Sequence, residues 1–128
     1  MAKAELGIRF EADFFYPVSD RVEVVDISIL LMNALSNAIL AAESSEASFV
    51  KVHSFLHRGT YLIEVRNSFD GVLDFQTESG FPETKKEKRE EHGYGLFNIK
   101  RVAERYGGAV TFMQEGREVI LTVMLLLL

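Results

Sequence analysis

From Ile27 to Ala42 the chain is apolar at every position except Ser28, Asn33, Ser36 and Asn37. Asp26, a good helix N-cap residue, stands directly before this run, and the pattern predicts one long helix reaching about Glu43. The four polar interruptions, and a length short of the roughly 20 residues a bilayer span needs, argue against a transmembrane segment. The closing Leu125-Leu126-Leu127-Leu128 is far too short to span and reads as the end of a buried strand.

Around that helix the signals are those of strands and turns. Ile8 to Phe15 is rich in β-branched and aromatic residues and stops before Pro17, which predicts a strand. Glu11 and Asp13 supply its solvent-facing side. Phe49 to Leu56 and Tyr61 to Val65 read as two further strands joined by the turn His57-Arg58-Gly59-Thr60. Ser68 to His92 shows no period and is rich in Gly, Glu and Lys. Leu96 to Tyr106 is an amphipathic helix with Leu96, Ile99, Val102, Ala103 and Tyr106 on one face, closed by Gly107-Gly108. Ala109 to Met113 and Val119 to Leu127 form a second hairpin across Glu115-Gly116. This order predicts an α+β fold, a two-layer α/β sandwich in which helices pack on one face of a mixed β-sheet. With 128 residues the expectation is a single domain over 1–128. The segment 70–92 exceeds the roughly 12–15 residues usual for a structureless connection, which predicts a functional lid.

Composition narrows the function. A net charge of −5 makes the chain a poor general ligand for nucleic acid or anionic membranes. A phosphate site here needs backbone N–H groups, a metal and a few local cations. The absence of cysteine excludes disulfides, thiolate chemistry and Cys-type zinc sites, and it fits a cytoplasmic location. Met1-Ala2-Lys3 is not followed by an apolar signal core.

Three constellations carry chemistry. Asn33 and Asn37 lie one turn apart on the same face of the long helix, with Ser36 beside them. Such a stripe is either simply solvated or chosen for its amides. Asn costs roughly 0.5 kcal/mol against Ala in a helix, and a carboxamide oxygen is a suitable Mg²⁺ ligand. In Arg66-Asn67-Ser68-Phe69-Asp70-Gly71 a strand runs into polar residues, where Asn67 and Asp70 either form an Asx turn or read a ligand; alone, the turn is favoured. His92-Gly93-Tyr94-Gly95-Leu96 opens into the second helix, and its glycines let backbone N–H groups approach a polyphosphate at the positive end of the helix dipole. A helix start that merely tolerates glycine reads the same way. Neither a Rossmann fingerprint nor a Walker A loop is present. Upstream, Thr84-Lys85-Lys86-Glu87-Lys88-Arg89 is either a solvated charge run or the source of a cationic clamp over phosphate, and His92 either donates to phosphate or braces the hinge. His53 and His57 show no metal-ligand pattern.

In order and spacing, these motifs resemble the ATP-binding domain of the GHKL (Bergerat-fold) superfamily, which includes gyrase and the sensor histidine kinases. Leu31 through Ile39 resembles its N box. Val65 through Gly71 sits where the first glycine box stands. Lys85-Lys86 through Leu96 resembles the lid and second glycine box. The run from Thr84 to Ile99, ending in Tyr106-Gly107-Gly108, is similar to the peptide-sensing kinases of Gram-positive bacteria that partner LytTR-type response regulators.

The resemblance implies ATP and Mg²⁺ as cofactors. It implies Asn37 as the metal ligand and Asn33 as the group lining the γ-phosphate side, in a catalytic role. Asn67 would face the adenine amino group, where many relatives have Asp. The stretch His92, Gly93, Tyr94, Gly95 and Leu96 would contact phosphates, with Lys85, Lys86 and Asp70 completing the pocket. Residues 1–7 would be the remnant of a connector helix. The phosphoacceptor His would lie on a separate dimerisation domain, the response regulator would be an indirect partner, and the domain itself would touch no membrane even if upstream segments anchor the full-length protein. Ser36 and Leu40 stand where Asp and Glu are common, and Asn67 removes a charged acceptor, which implies weak nucleotide affinity. The alternatives are a serine kinase of the anti-sigma-factor type and a degenerate domain serving as a non-catalytic interaction module.

Overall fold

The structure, a computed structural model, describes residues 7–17, 19–71 and 94–127. The elements are β1 (Arg9–Asp13), α1 (Val24–Glu43), β2 (Phe49–His57), β3 (Thr60–Ser68), α2 (Tyr94–Arg105), β4 (Ala109–Glu115) and β5 (Glu118–Leu126). They build a five-stranded sheet in the order β1-β2-β3-β5-β4. β1 runs parallel to β2, and every other neighbouring pair is antiparallel. The expected mixed sheet with a helical layer is therefore the observed architecture.

Alternation on the strands gives the sheet its two faces. Val50 and Val52 on β2, Tyr61, Ile63 and Val65 on β3, and Val119, Leu121, Val123 and Leu125 on β5 are all buried. Residues two apart share a face of a pleated strand, so these side chains form one apolar floor beneath the helices. α1 lies on it through Ile27, Leu30, Ala34, Ala38 and Ala42. The spacing of three and four residues keeps this stripe on one side of the helix, and its three alanines let the helix axis approach the sheet. α2 contributes Ile99, Val102 and Ala103 to the same core, with Leu96 and Tyr106 packed at its margin, the face expected from the sequence.

Two turns follow directly from backbone sterics. Arg58 and Gly59 between β2 and β3 both have positive φ, 51° and 78°, as a two-residue type I′ hairpin requires. Gly107 (φ 69°) ends α2 in the left-handed region, donating to the Glu104 carbonyl, while Gly108 donates to the Ala103 carbonyl. Gly108 also has no room for a side chain. A Cβ there would lie 1.6 Å from the Met124 carbonyl oxygen.

Four expectations need correction. Asp26 is not the N-cap. α1 begins three residues earlier than such a cap implies, Glu23 is the capping residue with no side-chain cap bond, and Asp26 lies within the first turn, buried. The strand after the first hairpin does not stop at Val65. It continues to Ser68, because Arg66, Asn67 and Ser68 pair with Ile120, Val119 and Glu118 of β5. The polar residues that look like a turn are held in the ladder by a neighbour distant in sequence. Finally, α1 spans 20 residues with hydropathy 1.8, long and apolar enough by composition to cross a bilayer. Here it is the helix that covers the sheet. The first strand is also shorter than expected, and all five of its residues are exposed.

Candidate nucleotide site

α1 and α2 lie side by side and antiparallel, so the end of α1 near Asp26 meets the end of α2 near Arg105, and Asn33 meets Gly95. A Cβ on Gly95 would come within 3.0 Å of Asn33 Oδ1. This glycine thus lets the first turn of α2 close on the asparagine. Asn33 Nδ2 donates to the Ile29 carbonyl at 2.7 Å, one turn back on its own helix. That bond fixes the amide plane and leaves Oδ1 facing α2.

Asn37, one turn further, has a different environment. Its Nδ2 is buried with no hydrogen-bond partner among the described residues. A buried unsatisfied amide costs roughly 1–3 kcal/mol, and native structures hold few of them. The amide can present its oxygen or its nitrogen by a half-turn about its last bond, so it is suited to a ligand that arrives from outside the chain. Among the described residues there is no cluster of three His, Cys, Asp or Glu that could hold a metal ion. Mg²⁺ binds readily to one protein oxygen when phosphate oxygens and waters complete its shell. A lone amide oxygen at Asn37 fits such a site.

Tyr94, Gly95 and Leu96 form the first turn of α2. Their N–H groups lack intrahelical acceptors by the geometry of a helix start. The first turn carries no acidic residue to satisfy them, and Arg105 lies in the last turn, as the helix dipole favours. The Leu96 side chain is part-buried against the core and anchors this turn. Lys85, Lys86, His92 and Gly93, with most of the expected lid, lie outside the described residues.

Asn67 sits buried on β3, opposite Val50 and Val119. It is on the helix-facing side of the sheet with Val65 and Ile63, at the end where α1 gives way to β2. Its Nδ2 donates to the Ser68 carbonyl at 2.9 Å. Ser68 in turn is fully buried, 2.6 Å from Ser45 Oγ, and accepts from the Phe49 N–H at 2.9 Å. These hydroxyls fasten the α1–β2 connection to the end of β3 and hold Asn67 in place. Asp70 is exposed and already engaged. Its Oδ2 accepts from the Glu46 N–H at 2.8 Å, and Oδ1 lies 4.0 Å from Arg117 Nη1.

A groove of about 530 Å³ opens between α1 and α2 on the outer side of the helical layer, lined among others by Met32, Asn33, Ser36, Asn98 and Arg101. It begins at Asn33. Met32 is 72% exposed and Phe97 55%, with the Arg101 guanidinium 5.8 Å above the Phe97 ring. The closed end of the groove holds a group that inspection of motifs missed. Asp26 Oδ1 accepts from Arg105 Nη1 at 2.8 Å, and Asp26 Oδ2 accepts from the Tyr106 hydroxyl. That hydroxyl also accepts from the Glu23 N–H at 3.1 Å. Burial first, and then the bond to Asp26, raise the Tyr106 phenol above its ordinary value. The available signal was an acidic residue at the head of an otherwise apolar helix, read as a cap.

With this geometry in view, comparisons with known proteins agree. A family model described as a GHKL domain matches residues 22–126. No curated protein sequence matches the chain. Among solved structures, the nucleotide-free catalytic domain of histidine kinase ThkA superposes with a TM-score of 0.70 at 22% identity, over 98% of this chain and 83% of that one. Histidine kinase AdeS of Acinetobacter baumannii gives 0.69 at 15% identity, over 98% of this chain and 57% of its own. Full-length ShkA, solved in complex with AMPPNP, gives 0.66 at 18% identity, over 95% of this chain and 26% of its own. This chain therefore spans little more than half of the AdeS chain and about a quarter of ShkA. At such identities the likeness is one of fold.

Proposed function

This chain belongs to the GHKL domain family, and from that premise we propose that it is the Mg-ATP-binding catalytic domain of a sensor histidine kinase. Its fold is that of histidine kinase catalytic domains. The observation that carries the site is the Asn37 amide nitrogen, buried and without a partner among the described residues, one turn from Asn33, which meets the open first turn of α2. In this reading the Asn37 oxygen holds Mg²⁺, which offsets charge on the triphosphate. Asn33 Oδ1 and the N–H groups of Tyr94, Gly95 and Leu96 orient the terminal phosphates. Asn67 faces the adenine, Gly93 joins the phosphate contacts, and Lys85, Lys86, His92 and Asp70 belong to the lid and its hinges over residues 70–92. Catalysis is then positioning and electrostatic stabilisation rather than covalent chemistry by the domain.

The γ-phosphoryl group passes to a ring nitrogen of a histidine on a separate helical dimerisation domain, and residues 1–7 are the connector toward it. Met32, which lines the groove past Asn33, and Phe97 on α2 are large apolar side chains left exposed, and they support the docking of such a partner there. We place the domain in the cytoplasm, in a kinase of the peptide-sensing, LytTR-partnered type, with the response regulator downstream. The AMPPNP complex of the similarly folded ShkA supports the choice of an adenine nucleotide.

The test is calorimetric titration with AMPPNP, with and without Mg²⁺, on the wild type and on Asn37→Ala. Mg-dependent binding that the substitution abolishes is the expected result. No binding at millimolar AMPPNP by the wild type would overturn the reading in favour of a non-catalytic interaction module.

A further inference from the structure

We propose that Asp26 is a positioning residue for the phosphate end of the nucleotide site, acting from the opposite end of the α1–α2 pair. The proposal rests on the nucleotide-binding reading above. Among the described residues, two close meetings stand out on the outer sides of these helices. One is Asn33 against Gly95. The other is the Asp26 carboxylate with Arg105 and Tyr106. Between them the outer side of the pair is open, as the groove of about 530 Å³ shows. On α1 the two points are two turns apart, roughly 10 Å at 1.5 Å per residue. Beneath this open side the two helices share the core through Leu30, Ile99, Val102 and Ala103, so the two outer meetings set the remaining freedom of the pair, and the separation at one is tied to the other.

The chemistry of the pin favours orientation over adhesion. Asp26 is 3% exposed. Burying a carboxylate carries a desolvation cost that its partner only partly offsets, so an apolar residue here would hold the helices together at least as well. What the carboxylate adds is direction. It accepts one bond from a guanidinium and one from a phenol on consecutive residues of the same chain segment, and charge-assisted bonds tolerate little misalignment. Tyr106 extends the constraint by accepting the Glu23 N–H at 3.1 Å, which satisfies an orphan donor at a helix start that has no side-chain cap of its own. The start of α1 and the end of α2 are thus locked in register, and with them the closeness of Gly95 to Asn33. A gap of a few tenths of an ångström matters there, because N–H groups and the asparagine must meet the same phosphates.

The experiment uses the full chain, with Asp26→Asn and Tyr106→Phe as variants. Amide NMR is recorded without nucleotide, and Mg-AMPPNP titrations are made at a temperature where each protein is fully folded by circular dichroism. The expected result for Asp26→Asn is a loss of about five- to tenfold in Mg-AMPPNP affinity, with shifts of the Gly95 backbone amide and the Asn33 side-chain amide. Tyr106→Phe, which keeps the ion pair and serves if Asp26→Asn does not fold, should shift the same resonances less. A folded variant with wild-type affinity and unmoved Gly95 and Asn33 resonances would show a merely structural pin and overturn the proposal. If the wild type does not bind Mg-AMPPNP, the nucleotide reading falls. The Gly95 and Asn33 resonances then still decide whether the pin sets the gap: movement supports it, and perturbation confined to the neighbours of Asp26 and Tyr106 refutes it.

Discussion

Replacing Asn37 by leucine should make the protein more stable and useless to nucleotide. The Asn37 Nδ2 is buried without a partner among the described residues, and such a donor costs about 1–3 kcal/mol relative to an apolar group of similar shape. The position lies mid-helix in α1, where leucine is better than asparagine by roughly 0.5 kcal/mol. Together these predict a gain of about 1.5–3.5 kcal/mol for Asn37→Leu. For a chain of this size the corresponding rise in Tm is roughly 6–14 °C. Asn33→Leu is the control. Its amide already donates to the Ile29 carbonyl, so only the propensity gain remains. Urea denaturation followed by circular dichroism measures both variants, and calorimetry with Mg-AMPPNP reads the loss of binding in Asn37→Leu. A destabilised Asn37→Leu would refute the reasoning, because it would mean that the amide has a partner worth more than its desolvation. A stabilised variant that still binds Mg-AMPPNP would remove Asn37 from the site.

Gly108→Ala puts a Cβ 1.6 Å from the Met124 carbonyl oxygen; backbone must move, and a loss of about 3 kcal/mol is expected in urea denaturation. Asn67→Asp places a carboxylate where the residue is 5% exposed and now donates to the Ser68 carbonyl, so we expect a loss of roughly 2 kcal/mol without nucleotide but tighter Mg-AMPPNP binding in calorimetry, from a charged acceptor at the adenine amino group. Burial raises both the Tyr61 and Tyr106 phenols above 10.0 in the folded chain. The unfolded state therefore loses these protons first, so the stability they confer is complete below pH 10 and declines as pH climbs through the folded values. Tyr106→Phe should flatten that alkaline decline in pH-dependent melts.

The hairpins were legible because alternation and an Arg-Gly turn are local signals, and α2 because its apolar face repeats over three turns and ends on Gly107. β1 was placed but not paired, since nothing in Arg9–Asp13 says that its neighbour is β2 in parallel. Arg66, Asn67 and Ser68 look like turn residues one by one. Only β5, some fifty residues on, keeps them extended. The candidate site was suggested in kind by the Asn33–Asn37 spacing and by the glycine that falls in the first turn of α2. That Gly95 closes on Asn33, and that Asp26 reaches across to Arg105 and Tyr106 instead of capping its own helix, are facts of tertiary contact that a local pattern does not contain.

The sheet order also dictates an order of assembly. β2 with β3, and β4 with β5, are hairpins closed by short turns and can zip within microseconds. β1 belongs to neither. Its parallel partnership with β2 requires the whole of α1 to be laid down between them, and none of its five residues is buried to reward early arrival. The rim strand is then the last to join and the first to leave. Its amides should exchange with solvent by local detachment, while those of β3, hemmed in on both sides, wait for the entire molecule to open.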